Sequence, residues 1–241
     1  MDLAEKCVEA AKEKGADLVG IAPVDSFSAD PAEAAHPRFF MDDAKAVVVC
    51  GLKLVDALWD KLTGTRDVHS LNLRSYLLHY NYDLLDFIGV QTARFLESQG
   101  YEAYPVQART ESRSNNVMTG YFPFKEAAVK AGLGLVGRHS MVNTPEFGPR
   151  QRLVAVITNA PLVPNRYLGE EEKARLSCGD CTNCIDRCPV GAISVDPATG
   201  APVVDRPKCQ AQLDFCQCAL CQGVCPFGRK GSASRRRSLG A

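Results

Sequence analysis

The sequence predicts an α/β sandwich followed by a small cysteine-rich domain. Three observations carry this. Apolar segments alternate between strand-like and helix-like patterning up to about residue 160, nine of the 11 cysteines crowd between Cys178 and Cys225, and a polar, proline-containing stretch (PLVPNRYLGEEEKARL) joins the two regions. The boundary is placed near residue 165, giving domains 1–165 and 166–228 and a basic tail over 229–241.

The elements follow in order. Residues 3–14 place Leu3, Cys7, Ala10 and Ala11 on one helical face, with Gly15 as a stop. DLVGIAPV (17–24) and KAVVVCGLKL (45–54) are short, β-branched and apolar, as buried strands are. From about Ser70 to Gly100 an amphipathic stretch marks Leu73, Tyr76, Leu77, Tyr80, Leu84, Phe87, Ile88 and Phe95 as one buried stripe. YEAYPVQ (101–107) and RLVAVITN (152–159) are expected to be strands, and FPFKEAAVKAG (122–132) a helix opening beside Pro123.

Lys plus Arg balances Asp plus Glu at 28 each, which argues against a general affinity for nucleic acid or anionic membrane. No apolar run is long enough to cross a bilayer, and MDLAEKC lacks an export pattern; a cytoplasmic location is expected. In that reducing setting clustered cysteines bind metal rather than pair as disulfides. The tail GRKGSASRRRSLGA carries five basic residues and no acidic one; it reads as disordered, or as a basic arm for RNA or another acidic partner.

The cysteines fall in two runs. Cys178, Cys181, Cys184, Cys188 and Pro189 form C-x2-C-x2-C-x3-C-P, the bacterial ferredoxin spacing, in which the fourth cysteine serves the other cluster. Cys218, Cys221, Cys225 and Pro226 repeat C-x2-C-x3-C-P. Three thiolates in a tight turn grip three irons of a cubane, and the cysteine before each proline is expected to start a helix that carries it across. Cys178, Cys181, Cys184 and Cys225 then form one set, and Cys188, Cys218 and Cys221 the other. The eighth ligand is Cys209 or Cys216. Cys209 is favoured, because Cys216 lies one residue from Cys218 and so short a link strains a loop that must spread ligands over separate irons. A pair of zinc sites is the competing reading, although a tetrahedral ion requires neither the triple spacing nor the C-P junction.

Other motifs are weaker. GLGLVG (132–137) matches G-x-G-x-x-G but follows helix formers and precedes no helix, so the glycines are read as a helix stop and tight loop. Asp67 to Asn72 matches D-x-H-x-x-G only in part, since Asn72 stands where glycine is needed. His36, His79 and His139 are isolated and read as structural.

The block KEAAVKAGLGLVGRHSMVNTPEFGPRQRLVAVITNAPL (125–162), directly before the cysteine runs, resembles the epoxyqueuosine reductase and reductive dehalogenase superfamily. The shared features are A-G-L-G-x-x-G-Arg at Ala131 to Arg138, the turn Pro145 to Gly148, a strand ending Ile157-Thr158, and Pro161-Leu162. The resemblance implies a nitroreductase-like α/β domain holding a cobalamin, a ferredoxin-like domain with two 4Fe-4S clusters, and a corrinoid-dependent reduction fed by a ferredoxin or flavodoxin. It implies cofactor contacts at Gly132, Gly134, Gly137, Arg138, Ser140 and Gly148, and a proton donor at Tyr121. A small-molecule substrate or a partner corrinoid protein would be the acceptor, and flavin is the alternative to cobalamin. Two departures stand out. Met118 takes the approximate place of the aspartate acid of epoxyqueuosine reductases, and no aspartate lies between Tyr101 and Arg150. The run Arg109 to Asn116 is read as the wall of the cofactor cleft.

The tail generates a prediction. Truncation after Gly228 should leave iron content and the unfolding transition unchanged, and if the tail is an RNA arm, salt-sensitive RNA binding should disappear with it in a filter-binding assay.

Overall fold

The computed structural model describes residues 1–27, 36–109, 122–216 and 218–228; Tyr121, Met118, most of the polar run 109–116 and the tail lie outside them. Along the chain the elements are α1 (Leu3–Glu13), β1 (Leu18–Pro23), α2 (Pro37–Phe40), β2 (Ala46–Lys53), α3 (Asp56–Asp60) and α4 (Val68–Tyr76), then a π-helical turn (Leu77–Asn81) and α5 (Tyr82–Ser98). There follow β3 (Ala103–Val106), α6 (Phe124–Lys130), β4 (Leu135–Val136), β5 (Val142–Asn143), β6 (Gln151–Thr158), α7 (Glu170–Leu176) and α8 (Asn183–Asp186). The last are β7 (Ile193–Val195), β8 (Pro202–Val204), α9 (Arg206–Cys216) and α10 (Leu220–Val224).

These elements form two compact units that interleave along the chain. The first comprises residues 1–53, 76–133 and 152–169; the second comprises 54–75, 134–151 and 170–241. The boundary read at residue 165 lies near the end of the first unit's last segment. Residues 54–75 and 134–151, which precede it, nevertheless belong with the cysteines, because long-range packing rather than chain order groups them.

The first unit is built on a sheet of order β1-β2-β6-β3. β1 runs antiparallel to β2 with Leu18 opposite Gly51 and Pro23 opposite Ala46; β3 runs antiparallel to β6 with Ala103 opposite Thr158. β3 is the edge strand, the place in a sheet where Pro105 removes no needed donor. Val19, Ile21, Ala46, Val48, Cys50, Val154 and Val156 join Cys7, Ala11, Leu85, Ile88 and Leu96 of α1 and α5 in one core. The other face is also buried, at Val47 and Val49, and α6 lies against β1 and β2. A β-carbon at Gly20 would fall 2.6 Å from the Ala131 carbonyl oxygen, so glycine is what admits the end of α6 to that face. The two-sided burial explains why these strands read as unbroken apolar runs.

α1 opens with a capping box. The Glu5 amide donates to Asp2 Oδ1 at 2.8 Å, and the Asp2 amide donates to Glu5 Oε2 at 2.9 Å. Its buried face is Ala4, Cys7 and Ala11, with Leu3 and Ala10 half-buried. The expected stripe of the next long helical stretch needs a larger correction. Leu73 and Leu77 are buried, but Tyr80, Leu84 and Phe87 are 64%, 51% and 51% exposed, and the buried positions are Asn81, Leu85, Ile88, Thr92 and Leu96. The π-helical turn is the cause. One wider turn advances the inward phase by a residue, from 80 to 81, 84 to 85 and 87 to 88. Farther back, the Ser70 amide donates to Asp67 Oδ1 at 2.9 Å, so the aspartate of the partial D-x-H motif caps α4.

Cys7 and Cys50 are fully buried in the first unit's core, and burial pushes each thiol from near 9.0 up to about 12, with the two raising each other at Cys50. The folded chain therefore keeps protons that the unfolded chain loses above pH 9, and the stability they contribute is complete below pH 9 and declines as pH rises toward 12. Urea unfolding of the wild type should weaken across that window more steeply than that of a Cys7→Ala, Cys50→Ala variant.

Candidate metal centre

The second unit gathers the cysteine runs. In the first run a turn closes with the Cys181 amide on the Cys178 carbonyl at 2.9 Å; α8 then carries Cys184 inward and ends before Cys188. In the second run α10 presents Cys221 and ends at Cys225, whose φ of -60° and ψ of 128° are extended. Both C-P junctions thus close a helix rather than start one. A residue before proline is driven out of the helical region, so the cysteine turns away from the helix axis at that point.

The thiols sort into two sets. Cys178, Cys181, Cys184 and Cys225 line one cavity with His139, Asn183, Pro226 and Phe227. Burial pushes Cys184 up to about 11 and Cys225 up to about 12, and the thiolates of their set add to both shifts. Cys188, Cys209, Cys218 and Cys221 form the other set. Burial is again the main cause of the upward shifts at Cys218, to about 11, and Cys221, to about 12; Cys216, Cys188 and Cys209 add to the first, and Cys218, Cys209 and Cys184 to the second. Cys209 is likewise raised by burial and by Cys188. Cys216 places its sulfur 3.6 Å from the Gly64 carbonyl oxygen and 3.3 Å from Gln212 Nε2, and it also hydrogen-bonds with Cys218. Cys209 and Cys216 thus both neighbour Cys218, and of the two only Cys209 also acts on Cys221.

Clustered thiols are stabilised as thiolates by a cationic metal group. Among the described residues no three His, Cys, Asp or Glu side chains converge as a single ion requires, while four thiols surround one cavity.

Residues 134–151 hold both runs. Arg138 donates from Nη1 to the Cys181 carbonyl and from Nη2 to the Gly179 carbonyl, each at 2.7 Å. Arg150, 1% exposed, donates to Asp56 Oδ1 at 3.0 Å, Asp60 Oδ1 at 2.9 Å and the Gly223 carbonyl at 3.1 Å. Nothing in the spacing of the cysteines announces this. The available signal is Asp56 and Asp60, four residues apart and so on one face of α3.

The remaining sequence-derived positions have definite places. Gly132 has φ +69° and lies against the Arg166 backbone within the first unit. Gly134 lies against the Asn143 backbone, Gly137 against the Asn143 and His139 side chains, and Gly148, at φ +56°, against the Phe227 carbonyl. Ser140, at φ +59°, forms a tight turn with its amide on the Gly137 carbonyl at 2.8 Å. The space beside each glycine is thus filled by the chain itself. His36 and His139 accept backbone amides at Nδ1, each at 3.1 Å.

No family model matches the chain. It is 25% identical to the epoxyqueuosine reductase of Bacillus subtilis over 94% of its own length and 64% of the relative's. It is 38% identical to the tetrachloroethene reductive dehalogenase of Sulfurospirillum multivorans over 42% of its length and 22% of the relative's. Relatives and structural neighbours that cover most of the chain support kinship with epoxyqueuosine reductases and reductive dehalogenases. The chain spans less than two thirds of both relatives. Its fold is that of an epoxyqueuosine reductase solved with a tRNA-Tyr stem loop (24% identity, TM-score 0.60, 94% of this chain and 65% of that one). It is also that of a reductive dehalogenase described as B12-dependent (21%, TM-score 0.64, 95% and 32%). Among the described residues no helix is long and apolar enough to cross a membrane.

Two predictions follow from the geometry of this unit. Cys209→Ser should cost about half of the bound iron and Cys216→Ser little, read by iron analysis after anaerobic reconstitution. For Arg150, the direction of truncation decides the cost. Arg150→Met leaves carboxylates that are 29% and 52% exposed and can return to water, whereas Asp56→Asn with Asp60→Asn strands a buried cation. The double variant should lose about 3–5 kcal/mol and Arg150→Met less, measured by denaturant unfolding.

Proposed function

We propose that this chain is an iron–sulfur reductase whose second unit carries two 4Fe-4S clusters, one on Cys178, Cys181, Cys184 and Cys225 and one on Cys188, Cys209, Cys218 and Cys221. The observation that carries the reading is that Cys178, Cys181, Cys184 and Cys225, drawn from both runs, line one cavity, while Cys188, Cys209, Cys218 and Cys221 neighbour one another. Bound there, the clusters would supply single-electron transfer. The residues supply the rest. The eight thiolates hold the irons, Arg138 and Arg150 fix the two loops, and burial of Cys184 and Cys225 keeps water from the first site. A ferredoxin or flavodoxin would be the donor.

Kinship makes a corrinoid the acceptor to test first, because relatives include a dehalogenase described as B12-dependent. The glycines named for that cofactor are occupied by the chain's own packing, so they do not form an open cradle, and the corrinoid rests on kinship alone. The tRNA stem loop bound by one structural neighbour makes RNA a substrate class as well, against the charge balance of the chain. A second reading, an electron donor to a partner corrinoid protein, is favoured by the lack of any aspartate between Tyr101 and Arg150.

Anaerobic reconstitution should give about eight irons and eight sulfides per chain. Titration with hydroxocobalamin, flavin mononucleotide and a tRNA stem loop then separates the acceptors. Cobalamin binding supports the corrinoid reductase and flavin binding alone replaces it. Binding of neither, with rapid reduction of an added corrinoid protein, supports the donor.

A further inference from the structure

We propose that Arg138 raises the reduction potential of the site formed by Cys178, Cys181, Cys184 and Cys225. The proposal rests on the reading that this site holds a 4Fe-4S cluster, and it gives Arg138 a role in tuning electron flow rather than in binding a cofactor phosphate. Its basis is geometric. Both Nη atoms are committed to carbonyls of the turn between the first two cysteines, Gly179 and Cys181, at 2.7 Å each. The planar fork fixes the guanidinium against the ligand loop with little freedom to swing away.

The charge at this position is also uncompensated. Among the described residues no carboxylate pairs with Arg138, whereas Arg150, which holds the other run, is met by Asp56 and Asp60. One-electron reduction of the site adds one negative charge and takes up no proton. Burial of Cys184 and Cys225, 7% and 5% exposed, opposes that added charge, and a fixed neighbouring cation offsets the opposition. Arg138, fixed on the turn that carries Gly179 and Cys181, therefore bears on the first site. It is a positioning residue whose second effect is electrostatic, and the two effects can be separated.

The test uses the full chain, reconstituted anaerobically and titrated with dithionite and low-potential mediators while the reduced clusters are followed by electron paramagnetic resonance. Arg138→Gln should keep its iron and shift the reduction equilibrium of one cluster about tenfold toward the oxidised state, 59 mV for one electron, with the other cluster unmoved. Arg138→Lys, which keeps the charge and loses the fork, should stay within about twofold of wild type. Full iron in Arg138→Gln with both potentials unchanged overturns the proposal. So does loss of the first site's iron in both variants, which would make Arg138 a clamp only. If Gln loses iron and Lys does not, the Lys potential decides: near wild type supports the proposal, and a tenfold shift overturns it. A wild-type chain that takes up zinc but no iron sinks the underlying cluster reading instead, and iron analysis of the wild type tells that failure apart.

Discussion

A guanidinium that is 1% exposed must have its charge met from within the protein, and around Arg150 that requirement draws three distant parts of the chain together. Asp56 and Asp60 come from a short helix far ahead of the cysteines, Gly223 comes from between Cys221 and Cys225, and Arg150 stands at the head of β6. With Arg150 in place, the adjoining backbone is committed as well. Gly148 has no room for a side chain because the Phe227 carbonyl lies against it, and the Leu54 amide donates to the Arg150 carbonyl at 2.9 Å. The second unit is therefore a composite, and the cysteine runs occupy only the last of its three segments. Small cluster-bearing domains bury little apolar area of their own, and here two earlier segments supply the missing support.

This is also where reading the chain from end to end reached its limit. The strands were visible because both faces of the sheet are buried and β-branched runs such as Val47 to Val49 admit few other fates. The gathering of Cys178, Cys181, Cys184 and Cys225 around one cavity could be anticipated because cluster ligation requires a fixed spacing. What could not be seen was the one-residue phase shift at the π-helical turn, since nothing in LLHYN departs from helix-forming composition. Nor was the interleaving visible. Residues 54–75 and 134–151 contain no cysteine, and their membership in the second unit is declared by long-range contacts such as those of Arg150 with Asp56 and Asp60, 94 and 90 positions away.

The same contacts bear on what the A-G-L-G-x-x-G-Arg motif means. Each small or charged residue in it has a structural occupation: Gly132 admits the Arg166 backbone, Gly134 admits Asn143, Gly137 leaves room for His139 and Asn143, and Arg138 grips the first cysteine turn. A motif so fully used for packing would persist in any relative that carries the two cysteine runs, whatever stands at the end of the electron path. It is therefore sound evidence of kinship and weak evidence of a particular acceptor. The acceptor has to be read from other groups, and Tyr121, the residue the resemblance proposes as proton donor, lies outside the described residues.

The thiols themselves argue that the cluster-bearing unit is assembled around its contents. Burial holds Cys184, Cys218, Cys221 and Cys225 at about 11 to 12, so at neutral pH an unligated chain keeps them protonated. Binding metal must displace those protons, and the resulting thiolates repel one another unless the metal stays. Arg138 is the one of the two loop-holding cations whose charge is not already matched by carboxylates among the described residues, and it sits where that repulsion is concentrated. The arrangement thus links two demands that need not have coincided: the cation that keeps the first cysteine turn in shape is also the one that eases the arrival of an electron there.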